Sequence, residues 1–131
     1  MLNPYGFLKA RNRVRYSTIL HSIVLEDALA KFGLKSTSLF EIDEHTAWEI
    51  LADLLWVDMA YRHEFMPEQR ANDLAEQIIS DHSDQNCKYF SNRENIESNI
   101  WKPLTTSTFD SGIVIAWGDG NFFCIWFEDE D

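Results

Sequence analysis

Four histidines and two cysteines have the strongest claim on chemistry in this 131-residue chain. His45 and Glu49 stand one helical turn apart, a spacing that metal binding or general-base work can use. A third ligand is missing at matching spacing and no His-Glu-x-x-His run occurs, so a surface or capping role is expected for both. Asp81-His82 and Arg62-His63-Glu64 fall at expected helix ends, where cations complement the dipole. Cys87 paired with a distant histidine would make a nucleophile, but every chain holding both residue types permits that pairing. No Gly-x-Ser-x-Gly, phosphate loop, dinucleotide fingerprint or Cys-x-x-Cys is present. The expectation is no catalytic residue, no metal ligand and no cofactor. A small metal-dependent enzyme using His21, His45, His63, His82 or Cys87 is the alternative.

Charge and aromatic mass offer more. The formal net charge is -11, while Lys9, Arg11, Arg13 and Arg15 place four positive and no negative charges in residues 1–16. The rest of the chain is therefore strongly acidic, a field that disfavours nucleic acid and anionic membrane and speeds encounter with a basic partner. Residues 41–84 hold twelve Asp or Glu against Arg62 and Arg70. A second acidic group closes the chain, where the aromatic run "NFFCIWF" breaks into Glu128, Asp129, Glu130 and Asp131. Solvated helix faces and protection of a strand edge account for these groups without a partner. The functional expectation is that they meet in space, so that an aromatic anchor, Trp126, stands within a rim of carboxylates drawn from Asp43, Glu44, Glu49, Asp53, Asp58 and residues 128–131. The basic arm is expected to pair with this acidic surface or to be solvated.

The elements that must position these groups follow from periodicity. The length and 45% hydrophobic content predict one α+β domain over residues 1–131, with residues 1–16 as arm and 128–131 as tail. Ser17 is a candidate cap for a first helix running to Phe32 and stopped by Gly33. A second helix is expected from Asp43 to Tyr61, with a capping box at Thr46 and Glu49, and a third from Pro67 with Ala71, Leu74, Ala75 and Ile78 as its apolar stripe. Residues 83–99 read as a connection with a short strand at Lys88 to Phe90, and Trp101 to Phe109 as a strand beside the closing hairpin. Asp119-Gly120 matches a two-residue turn. That turn would set Trp117 opposite Phe122, Ile115 opposite Cys124 and Ile113 opposite Trp126, with Ala116 and Val114 facing Phe123 and Ile125 on the other side. About three N-terminal helices are thus expected on a C-terminal antiparallel sheet that ends in a β-hairpin. No apolar run reaches the roughly 18 to 20 residues of a membrane span and no signal peptide opens the chain, so the expected location is the cytoplasm, with both thiols reduced.

In its size, its negative charge and its closing "GIVIAWGDGNFFCIWFEDED", the chain resembles the small acidic immunity proteins of bacterial toxins, in particular those of contact-dependent growth inhibition. The resemblance implies an antitoxin that binds and neutralises a cognate bacterial toxin domain, usually a basic nuclease, as a monomer or a 1:1 heterodimer with it. It implies no direct contact with nucleic acid or membrane. The alternative in the same class is an acidic nucleic-acid mimic that inhibits another host enzyme.

Overall fold

The computed structural model describes residues 24–35, 39–84, 86–98, 101–118 and 120–130, and the backbone of residues 14–19. Lys9, Arg11, Arg13, His21, Asp119, Asp131 and the side chain of Arg15 lie outside the described residues. The elements are β1 (Val14–Ile19), α1 (Leu25–Lys31), β2 (Phe40–Ile42), α2 (Glu44–Trp56), α3 (Glu68–His82), β3 (Lys88–Ser91), β4 (Phe109–Ala116) and β5 (Phe122–Asp129). Five strands form one antiparallel sheet in the order β1-β5-β4-β3-β2. The α+β mixture is as expected, but two strands precede or interrupt the helices.

The first correction lies at the N-terminal side. Ser17, expected as a helix cap, sits in β1 opposite Cys124, and α1 begins only at Leu25. Thr18, Ile19 and Tyr16 favour extended backbone, and pairing with the aromatic β5 outweighs the helical spacing read through them. The basic segment thus ends inside the sheet, since Arg15 pairs with Trp126 across the β1–β5 ladder.

The second helix starts where expected for a different reason. Asp43 is its cap, with Oδ1 accepting the Thr46 N–H at 2.7 Å, so Thr46 is a capped donor rather than the cap. That bond holds the Asp43 carboxyl below the usual range. The helix stops at Trp56, short of Tyr61, because residues 57–64 turn back on themselves. Asp58 donates its N–H to the His63 carbonyl and Phe65 does the same to Trp56. The third helix follows Pro67 as expected and buries Ala71, Leu74, Ala75, Ile78 and also Ile79.

The hairpin forms with a register one residue away from the expected one. Ala116 opposes Phe122, Ile115 opposes Phe123, Val114 opposes Cys124, Ile113 opposes Ile125 and Gly112 opposes Trp126. The two strands are closed by the Trp117 N–H, which donates to the Asn121 carbonyl at 2.9 Å, with Gly120 at φ 89°. A one-residue slip exchanges the faces of β5. Ile113, Ile115, Phe123, Ile125 and Phe127 therefore pack beneath α2 and α3, whereas Val114, Phe122, Cys124 and Trp126 pack with α1, Leu34 and Leu104. Both faces of the hairpin are covered by this chain's own residues.

The strand expected over Trp101 to Phe109 is absent apart from Phe109, which opens β4; residues 101–103 are irregular and 104–108 are a run of bends. The cause is Asp110, whose carboxylate captures the N–H groups of Leu104 and Thr105 that a ladder would need. β1 and β3 flank the hairpin instead.

Candidate functional site

Four of the expected contact residues are consumed within the molecule. Trp126 has no exposed surface and donates its indole N–H to Asp110 Oδ1 at 3.0 Å, so it is a core residue and offers no anchor to a partner. Glu128 and Asp129 are 7% and 9% exposed and belong to β5 rather than to a tail. Glu128 Oε1 accepts the Ser107 hydroxyl at 2.8 Å, and Asp129 Oδ2 accepts the Met59 N–H at 2.9 Å. Exposed Glu130 accepts both the N–H and the hydroxyl of Thr108. The aromatic strand runs into carboxylates because they clasp the 104–108 bends and the loop after α2.

Asp53 and Asp58 are likewise engaged. Asp53 accepts from Arg62 at 2.9 Å and from Arg93 at 3.3 Å, and the two guanidiniums sharing it differ in environment. Hydrogen bonding to Asp53 raises the pKa of half-exposed Arg62, while burial lowers that of Arg93. Arg93 also donates to the Ile96 carbonyl at 3.0 Å and lies 4.3 Å above the Trp101 ring. Partial burial works against the Asp58 carboxylate, but the N–H groups of Tyr61 and Arg62 outweigh it and hold the group below the usual range. These bonds shape the turn in which Arg62 adopts φ 61°.

A prediction follows for Asp53. Removing one partner of a buried ion pair costs roughly 3–5 kcal/mol, and Asp53→Ala is expected at the lower end because Ile96 and the Trp101 ring still receive Arg93. Arg62→Ala, removing the exposed partner, is expected to cost less than about 1 kcal/mol. Urea denaturation of both variants checks the ranking, and equal losses would contradict it.

Among the described residues, an open groove lies between the start of α2 and the end of α3. It has a volume of about 890 Å³ and is lined by Glu44, His45, Trp48, Glu76, Ile79 and Ser80, with Ser83 and Asp84 at its end. The capping of α2 by Asp43 and the antiparallel packing of α2 on α3 bring these residues together. Trp48 is fixed by its indole N–H, which donates to the Asn72 carbonyl at 3.1 Å. His45 stacks on that indole with ring centres 5.7 Å apart and stands 3.7 Å from Glu49. Among the described residues, Glu44, Glu76 and Asp84 make no ion pair with a cation. Asp43, Glu44 and Glu49 thus remain on the accessible side of α2, and Glu76 and Asp84 join them. Sequence reasoning missed these last two; the signal was the polar side of α3, where Glu76 and Ser80 lie one turn apart.

Behind the groove, Tyr89 donates its hydroxyl to Ser83 at 2.9 Å, and Cys87 Sγ lies 3.1 Å from that hydroxyl. Burial, with Cys87 beside it, pushes the Tyr89 phenol well above the usual tyrosine range. His82 is turned inward, stacked on Phe123 with ring centres 3.7 Å apart, and donates through Nδ1 to the Ile78 carbonyl. No group of three His, Cys, Asp or Glu side chains among the described residues is arranged to hold a metal ion. No helix among the described residues is long and apolar enough to cross a membrane. Comparison of the chain with protein-family models, with curated proteins and with solved structures returns no match.

Proposed function

We propose that this chain is an immunity-type protein that binds and neutralises a basic toxin domain in the cytoplasm. The reading is supported by one observation above all. On a protein of net charge -11, the α2–α3 side sets Glu44, Glu76 and Asp84, which make no ion pair among the described residues, beside a fixed, partly exposed tryptophan. A domain that handles phosphates is basic, so such a surface is steered to it and associates fast at low salt. Aromatic and aliphatic contact then slows dissociation, and nanomolar affinity corresponds to roughly 12 kcal/mol. Turnover is not needed for this role. The contact set is Asp43, Glu44, Glu49, Glu76 and Asp84.

The test is calorimetric titration against the carboxy-terminal domain of the protein encoded immediately upstream. Tight 1:1 binding is expected, weakening by at least about tenfold between low and high salt as exposed charges are screened. Glu44→Gln combined with Glu49→Gln is expected to slow association while leaving the fold intact. Absence of binding, or binding indifferent to both salt and these substitutions, would refute the proposal.

A further inference from the structure

Resting on the binding role proposed above, we infer that the α2–α3 groove receives a cationic amphipathic helix of the partner. Arginine or lysine stems lie along Trp48 and Ile79, and their charged heads meet Glu44, Glu76 and Asp84. The groove's chemistry selects this occupant over others. Its floor is apolar and aromatic, while three carboxylates stand at its rim. A neutral apolar segment would strip water from those carboxylates without return, and an anionic one would be repelled. An amphipathic cation satisfies both parts, since long basic side chains cover apolar surface with their stems and keep the charge at the rim.

A second feature has the same sign. The groove ends at Ser80 and Ser83, in and just after the last turn of the fifteen-residue α3, where the helix presents the negative end of its dipole. His82 in that last turn donates to the Ile78 carbonyl, and among the described residues no Lys or Arg pairs with Glu44, Glu76 or Asp84. Lys31 is paired with Asp27, and Arg62 and Arg93 with Asp53. The indole of Trp48 is held by Asn72, so its ring is preorganised for an arginine to pack on it.

The experiment titrates the intact protein with a capped Leu/Arg amphipathic helical peptide and with its Leu/Glu counterpart, following amide and indole NMR shifts. Saturable shifts are expected at the Trp48 indole and at residues 44–48 and 76–84 with the basic peptide alone. Glu76→Lys with Asp84→Lys is expected to weaken binding by at least about tenfold. The isosteric pair Glu44→Gln and Glu76→Gln, which leaves packing unchanged, is expected to weaken it about threefold. Glu94→Lys with Glu97→Lys, at exposed positions away from the groove, should change it by less than about twofold. No binding, shifts scattered over the acidic surface, or equal weakening by the control pair would each overturn the inference. The two proposals fail separately. A toxin domain that binds the Glu76/Asp84 variant as tightly as the parent removes the groove and keeps the role; a seated peptide with no toxin binding does the reverse.

Discussion

Replacing Gly112 by alanine is expected to cost more than about 3 kcal/mol, the upper end of what inserting one carbon into a packed core usually costs. A Cβ at this position would stand 2.1 Å from the Ile125 carbonyl oxygen, 2.8 Å from Trp126 Cα and 2.7 Å from Trp126 Cε3. The first two are backbone atoms of the paired strand and cannot turn aside as a side-chain tip does. The demand arises from Trp126, which opposes Gly112 and folds its indole across β4 to reach Asp110. Such a loss is a large part of the roughly 5–15 kcal/mol that holds a domain folded. Gly118→Ala is the control, because nothing lies within 4 Å of its Cβ and its φ is not positive. That variant is expected within about 1 kcal/mol of the parent. Urea midpoints that leave Gly112→Ala equal to Gly118→Ala would show the close approach of β4 and β5 to be wrong.

Asp110→Ala is expected to be of similar severity, about 3–5 kcal/mol, because a fully buried acceptor is removed from several donors at once. Its Oδ1 takes the Leu104 N–H at 2.8 Å and the Trp126 indole at 3.0 Å, and its Oδ2 takes the Thr105 N–H at 2.9 Å and the Thr105 hydroxyl. Leu104 is fully buried on the α1 face, so release of the 104–108 bends opens that core layer. Asp110→Asn should cost less than alanine but still fail to restore stability, since its amide nitrogen must face one pair of donors. Near-ultraviolet circular dichroism should lose intensity in both variants as Trp126 is freed. An Asn variant as stable as the parent would mean that the carboxylate's second oxygen is not needed.

These two sites show where local pattern stopped being informative. Gly112 looks in the sequence like a glycine at a strand start, and Asp110 like one more carboxylate in an acidic chain. Both answer to Trp126, fourteen and sixteen positions away, through the β4–β5 register, and Asp110 also answers to the donors of Leu104 and Thr105. The groove escaped for a related reason. Glu44 and Trp48 share one face of α2 by spacing alone, but Glu76 and Asp84 join them only because α3 packs antiparallel on α2.

Periodicity and local chemistry fixed the start of α2, along with α3, β3 and the two strands of the hairpin, because apolar spacing and Pro67 act within a few residues of chain. The same information determined the acidic field, which depends on composition. Tertiary structure alone decided three things. Residues 14–19 became a strand because β5 offered them a ladder; the bends at 104–108 formed because Asp110 took their donors. The third is the division of the carboxylates. Asp129 and Asp58 turn to backbone N–H groups, Glu128 to the Ser107 hydroxyl and Asp53 to the buried Arg93 guanidinium, leaving the α2–α3 rim to face outward. Charge is written in the sequence, but whether a charge is spent within the fold or offered to a partner depends on which donors the packed chain brings within hydrogen-bond reach.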